Sequence, residues 1–458
     1  MGKEILKLIM DILSEPAVLV SVIALIGLLI QKKSASDVIK GTTKSFLGFI
    51  VISAGAGILV SSLDPFGKMF QKAFDVNGVV PNNEAIVAMA LSEYGSSTAL
   101  IMFFGMLANI LVARFTNLKY IFLTGHHTLY MACMIAVILV VAGLKGFQLV
   151  LVGSLALGLI MAIFPAIAQP FMRKITGNDQ VGFGHFSTLG YALSGVIGSL
   201  VGKNSRSTEK INFPKGLGFL RDSSISISLT MTILYIIVAV IAGPDYIEEN
   251  LSGGKHFIVY SVIQAITFAA GVFIILSGVR LVLAEIVPAF KGISNKLVPN
   301  AKPALDCPIV FPYAPNAVLI GFFCSFLGGI VGMIILSAVG AVIILPGVVP
   351  HFFTGATAGV FGNATGGIRG ATIGSFANGL LITFLPVFLM PVLGDLGFAN
   401  TTFSDSDFGV SGIVLGYIAN YFSSTGITIA VIAAVLIPVI LYFARGKKNV
   451  SIDNSTNA

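Results

Sequence analysis

Charge is what this sequence has least of. Only 10% of its 458 residues are Asp, Glu, Lys or Arg, against about 25% in soluble domains, and the mean hydropathy is +0.96. An ordinary soluble globular chain is excluded. Tryptophan is absent, and the three cysteines, Cys133, Cys307 and Cys324, show neither pairing nor CxxC spacing, so neither a disulfide nor a zinc site is expected. No GxxxxGK[ST] loop, HExxH motif or dinucleotide fingerprint occurs, which leaves no machinery for ATP hydrolysis. The alternation of apolar and polar residues that marks a membrane barrel is missing too.

What is abundant is apolar sequence, 56% of the chain, together with 51 glycines. Glycine lets membrane helices approach closely and lets them break inside the bilayer. Apolar runs suited to spans lie near 17–31, 45–62, 93–115, 120–143, 147–170, 224–243, 257–278, 317–344, 371–394 and 423–444. They predict an all-α polytopic membrane protein with about 11 transmembrane helices. Residues 182–202 and 346–367 read as re-entrant hairpins, and residues 1–16 as an interfacial helix with no cleaved signal. The net charge of +7 comes from clusters at Lys32/Lys33, Arg114/Lys119, Arg173/Lys174, 203–221 and Arg445/Lys447/Lys448. Their placement fits the positive-inside rule rather than nucleic-acid binding. The first and last spans both end on such a cluster, so the N-terminus is expected outside and the C-terminus in the cytoplasm.

The sequence is also duplicated. Residues 48–68 align with 271–291 at an offset of 223, which carries Gly48 onto Gly271, Gly55 onto Gly278, Pro65 onto Pro288 and Lys68 onto Lys291. The same offset carries Asn77 onto Asn300 and Gly105 onto Gly328, and LGY recurs at 189–191 and 415–417. Five crossings per copy would invert the second copy relative to the first, as in many secondary transporters. The expected divisions are a first span ending at 31, repeat one over 32–202, a basic loop and connecting span over 203–254, repeat two over 255–426, and a last span end and tail over 427–458.

Few polar residues fall at membrane depth, and each has a functional and a plain reading. His126 and His127 open an apolar run. Adjacent helix positions point about 100° apart, so at most one of them is expected to face a cavity; an interfacial pair at a helix end is the alternative. His185 sits in the Gly-rich turn VGFGHF and reads as a ligand at a hairpin tip, against a loop histidine. Asn83–Glu84 and Asp306 occupy equivalent breaks in the two repeats, and ionised carboxylates there suit hydroxyl recognition, against helix capping. Arg280, Glu285, Asn316, Asn363 and Arg369 read as structural, and Cys307 as a small buried residue.

The segments KSASDVIKGTTKSFLGFIVISAGAGIL, LTGHH, GFGH, GVRLVLAEIVPAFKGISNKLVPNAKPALDC, YAPNAVLIGF and LPGVVPHFFTGATAGVFGN together resemble the ascorbate-type membrane permease component, enzyme IIC, of the bacterial phosphoenolpyruvate:sugar phosphotransferase system (PTS). The resemblance runs from about residue 17 to 444. It implies a homodimer in the bacterial inner membrane, each subunit built of two inverted five-helix repeats with a mobile core and a dimerising domain. Substrate would be carried inward by an elevator-like movement and phosphorylated there by a separate IIB protein charged by IIA. No cofactor, metal, catalytic residue or phosphoryl-carrying residue of its own is implied, and no fused IIA or IIB domain is expected. The pocket positions would fall on Gly55, Ala56, Asn83, Glu84, His126, Tyr130, His185, Phe186 and Asp306.

Several of these depart from the ascorbate pattern. Ala56 stands for Ser, Asn83–Glu84 for Thr-Tyr, and Tyr130 and Phe186 for Gln. Two aromatic rings and an added carboxylate favour a neutral sugar or polyol over an anion. Physics alone leaves a second reading, an ion-coupled secondary transporter of a small polar solute.

Overall fold

A computed structural model describes residues 16–74, 78–211, 223–398 and 401–456. The expected interfacial helix at 1–16 lies almost wholly outside the described residues, as does much of the basic loop. The chain is mostly helical: α1 Pro16–Ile30, α2 Ala35–Phe74, α3 Asn83–Phe115, α4 Gly125–Val141, α5 Gly146–Thr176, α6 Thr188–Val201, α7 Ser223–Ala242, α8 Pro244–Asn250, α9 Phe257–Leu297, α10 Pro315–Ala338, α11 Ala356–Leu389 and α12 Ser406–Thr456. A turn at Val348–Pro350 and a wide turn at His351–Gly355 lead into α11. Among the described residues five helices are long and apolar enough to cross a bilayer, six if the bent pair α7–α8 forms one span.

α2 and α9 are longer than their apolar runs implied. The amphipathic stretch 34–47 and the span 45–62 merge into one helix, which continues through Pro65. These two helices pack along each other and against α1 and α7, and the Tyr235 hydroxyl of α7 donates to the Ser62 carbonyl of α2. The second packing group is α3–α6 with α10–α12, and it touches the first thinly.

Two small parallel sheets organise the second group. β2 Tyr120–Phe122, β4 Lys302–Leu305 and β3 Gly182–Phe183 form one, in the order β2-β4-β3. β5 Ile343–Ile344, β1 Gly78–Pro81 and β6 Thr401–Thr402 form the other, in the order β5-β1-β6. In each sheet the central strand comes from one half of the chain and both flanking strands from the other. Parallel neighbours need long crossovers, and the membrane helices supply them.

α6 lies backbone-to-backbone on α11. A Cβ at Gly198 would sit 2.7 Å from the Gly362 carbonyl oxygen, and one at Gly366 would sit 2.6 Å from Gly198 Cα, so only glycine admits this approach. α11 breaks at Gly367, whose φ of 56° suits glycine, and the next amide, Ile368 N–H, donates to Arg206 O at 2.8 Å. Asn363 Oδ1 accepts from Thr208 N–H (2.9 Å) and Asn316 Nδ2 donates to Thr208 O (3.0 Å), while Arg369 N–H donates to Ser205 Oγ (3.1 Å). These contacts anchor the start of the basic loop to α10 and α11.

Candidate functional site

Parallel strands in one sheet all end on the same side, and the residues just beyond their C-terminal ends therefore converge. Phe122 pairs with Ala304, and Phe183 with Leu305. That register sets His126 and His127 (first turn of α4), Asp306 and Cys307, and His185 side by side. In the other sheet Pro81 pairs with Thr402, which brings Asn83 at the start of α3 to Ser404 and Asp405 at the start of α12. The two strand ends face one common cluster, and the N-termini of α3, α4, α6 and α12 point into it. Their free amides carry partial positive charge and favour anionic side chains nearby.

Two carboxylates are set in the same way. Asp306 fixes one oxygen by accepting from Cys307 N–H at 2.7 Å and turns the other to His126 Nε2 at 3.8 Å. Asp405 fixes Oδ1 by accepting from Ser404 Oγ (2.7 Å) and Asn83 Nδ2 (3.2 Å). Its Oδ2 faces His127 Nε2 at 4.0 Å and His185 Nδ1 at 3.7 Å. Asn83 is itself oriented, because its Oδ1 accepts from Ser404 N–H at 3.0 Å. The Tyr191 hydroxyl lies 2.8 Å from His185 Nδ1 and 3.7 Å from Cys307 Sγ. All three histidines are buried or nearly so, His126 keeping 12% of its side chain exposed.

A third carboxylate caps rather than binds. Asp407 accepts from Thr188 N–H (2.8 Å) and Leu189 N–H (2.9 Å), the open first turn of α6. In return Asp407 N–H donates to Phe186 O (3.1 Å), Ser406 N–H to Ser187 Oγ (3.2 Å), and Gly190 N–H to Ser406 Oγ (3.1 Å). Two helix starts 219 residues apart thus satisfy each other's free amides.

His126, His185, Asp306 and Asn83 all lie in the cluster. Tyr130 is buried, with its ring 5.7 Å from His126 and 6.0 Å from His127. Three expectations change. Both rings of the His126–His127 pair face carboxylates; their centroids are only 4.7 Å apart, and the carboxylates stand on different strand ends. Phe186 is wholly buried, stacked on Phe122 at 4.4 Å and flanked by Phe164 and Phe408. Its ring packs within this aromatic group. Gly55 is buried in α2, within the other packing group, and takes no part in the cluster's hydrogen bonds among the described residues. The side chains of Glu84, Ala56, Arg280 and Glu285 lie outside the described residues. Asp405 and Asp407 were not anticipated; their signal was the polar SDSD at 404–407 directly before an apolar run.

Three overlapping sets of His, Asp and Cys bring donor atoms within 4.8 Å of one another, as a metal would require. At His127, which belongs to two of the three sets, the hydrogen bonding does not fit one. Phe186 N–H donates to His127 Nδ1 at 3.3 Å, so Nδ1 is the bare nitrogen and Nε2 carries the proton. The nitrogen that faces Asp405 is thus an N–H donor and no metal ligand. The cluster's chemistry is that of an array of N–H donors and carboxylate acceptors, suited to hydroxyl groups.

The profile of the PTS system sugar-specific permease component, EIIC-GAT, matches residues 11–407. The ascorbate-specific PTS system EIIC component of Mycoplasma pneumoniae is 25% identical over 407 residues, covering 77% of this chain and 62% of that protein. This chain therefore aligns to less than two thirds of that relative's length. The family match over most of the chain and the several apolar, bilayer-length helices lead to one conclusion: the chain is a multi-pass membrane protein that belongs to the sugar-specific permease (enzyme IIC) family of the phosphotransferase system.

Proposed function

We propose that this chain binds ascorbate or a related carbohydrate and carries it inward across the bacterial inner membrane, for phosphorylation by a separate IIB protein supplied by IIA. The observation that carries the reading is the cluster itself. His126, His185, Asp306 and Asn83 meet at converging helix starts, where a small polar ligand finds several directed hydrogen-bond groups. The chain contributes binding and movement, and the phosphoryl group comes from the partner.

The proposal extends to architecture: two inverted repeats, about 11 crossings, a homodimer, an outward N-terminus and an elevator-like movement of the core. The reciprocal strand pairing supports the repeats, since β1 stands to β5 and β6 as β4 stands to β2 and β3. The thin contact between the two packing groups supports a core that moves as a unit. The homodimer and the topology rest on the resemblance and the charge pattern.

Uptake of radiolabelled ascorbate, xylitol and glucose into proteoliposomes tests the reading. Accumulation as a phosphate ester, only with IIA, IIB and phosphoenolpyruvate present, is the expected result. Accumulation of unmodified solute driven by a proton or sodium gradient would replace it with the ion-coupled alternative.

A further inference from the structure

We infer that Lys203, Arg206, Lys210 and Arg369 form a docking surface for an acidic face of the protein that donates the phosphoryl group. This deepens the carrier reading and rests on it.

The four residues come from two segments far apart in sequence that the fold pins together. Arg206 O accepts from Ile368 N–H at 2.8 Å, and Ser205 Oγ accepts from Arg369 N–H at 3.1 Å. A Cβ at Gly367 would collide with Arg206 O, so the loop lies directly on the break in α11. Thr208 N–H donates to Asn363 Oδ1 at 2.9 Å, and Thr208 O accepts from Asn316 Nδ2 at 3.0 Å. The loop is thus held across the end of α6, the start of α10 and the break in α11. Every one of these bonds uses backbone atoms or uncharged side chains. The four charged side chains stay exposed.

Glu209, the acid of this segment, is turned away from them. Its Oε1 accepts from Asn316 N–H (3.0 Å), Ala317 N–H (3.2 Å) and Thr208 Oγ1 (3.1 Å), which caps α10. Among the described residues no carboxylate forms an ion pair with Lys203, Arg206, Lys210 or Arg369. Elsewhere the chain does pair its cations: Arg173 and Lys302 both meet Asp179, at 2.8 and 2.6 Å. Membrane topology alone asks only that a cytoplasmic loop be basic. It does not ask that the cations be fixed on one surface while the local acid is engaged elsewhere.

Position and charge name the partner. α6 begins at the polar cluster, where Thr188 N–H donates to Asp407, and ends next to Lys203. Its 14 residues span about 21 Å at 1.5 Å per residue. The charge pattern makes this end cytoplasmic, the side from which the separate IIB protein must approach. A phosphoryl group adds about −1.5 to −2 charges to its carrier. A fixed cationic surface therefore speeds encounter with the loaded partner, and attraction falls once the phosphoryl group has left. Such steering weakens as salt rises.

The test is phosphorylation by the full-length protein in nanodiscs, with IIA, phosphoenolpyruvate and varied IIB from the same organism, using whichever of ascorbate, xylitol and glucose the wild type takes. The variant combines Lys203→Gln, Arg206→Gln, Lys210→Gln and Arg369→Gln. It should fold, because the anchoring bonds of Arg206 and Arg369 are made by backbone atoms; if its melting point falls, the single variants Lys203→Gln and Lys210→Gln replace it. The KM for IIB is expected to rise at least tenfold in the combined variant, and to rise measurably in each single variant, with kcat at saturating IIB and substrate binding without IIB unchanged. Added salt should raise the KM of the wild type and leave that of the combined variant nearly constant. An unchanged KM overturns the docking surface and leaves the carrier reading standing. A rise in KM seen with anionic lipid but not in nanodiscs of phosphatidylcholine alone also overturns it, and assigns the cations to lipid headgroups. A wild type that yields no phosphate ester at any IIB concentration, yet accumulates unmodified solute in proteoliposomes, overturns both.

Discussion

Phe186 shows how a side chain's role depends on what its strand end is fixed against. The family resemblance made it a pocket candidate, yet its ring is wholly buried against Phe122, Phe164 and Phe408. Phe186→Ala should therefore act on stability, by about 3 kcal/mol as for other large core truncations, and Phe186→Leu by clearly less. Thermal unfolding in detergent checks this; a variant as stable as wild type but unable to bind ligand would restore the pocket role. Asp407 makes the opposite case. Its two backbone bonds to α6 are worth about 1–3 kcal/mol together, because the amides they satisfy are buried. Asp407→Ala should lower the unfolding midpoint more than Asp407→Asn, which keeps one acceptor oxygen. The titratable residues at membrane depth were readable as candidates because such groups are rare there. Asp405 and Asp407 escaped notice because a polar residue before a helix has a ready explanation as a cap. One of them is such a cap, but for a helix far away in sequence.

At the scale of elements, the long apolar helices and the Gly-rich breaks were readable, and the break at Gly367 falls at the end of the segment read as a hairpin. The strands were not. Each has two to four residues, too few for a period of two to register, and each pairs with a partner from the other half of the chain. The glycine contacts were likewise invisible, because composition does not say which glycine faces which. Gly198→Val should abolish folded protein, since its Cβ would meet the Gly362 carbonyl, which cannot swing aside as a side chain can. Gly57→Ala is the control: a Cβ there meets nothing within 4 Å, and the helix gains up to about 1 kcal/mol. Size-exclusion profiles of the two variants separate the effects. Beyond the α5 end, Asp179 accepts from Arg173 Nε (2.8 Å), Lys302 Nζ (2.6 Å) and Gln169 Nε2 (2.8 Å), which ties α5 to β4. The bonds from Arg173 and then Lys302 hold its carboxyl well below the ordinary 3.8. A depressed carboxyl stabilises the fold above the ordinary value and loses that contribution as pH falls towards the folded one. Asp179 is half exposed, so the effect is small, about 1 kcal/mol or less. The midpoint difference between wild type and Asp179→Asn should be present at pH 7 and shrink steadily below pH 4.

The whole molecule is interleaved rather than divided. β1 of the first half pairs with β5 and β6 of the second, and β4 of the second half pairs with β2 and β3 of the first. The α6 start depends on Asp407, and the Asp405 carboxylate on Asn83. Each half alone would therefore carry unpaired strand edges and uncapped helix starts at membrane depth, where no water replaces the lost partners. A chain cut within residues 212–222, between the halves, is expected to yield two fragments that are unstable when made singly. Made together, they should copurify through a tag on one of them and recover ligand binding, because no strand or cap contact among the described residues requires the connection itself. A tagged first half that is monodisperse and stable alone would show that the swapped strands are dispensable, and would remove the main support for reading the site as a joint product of both halves.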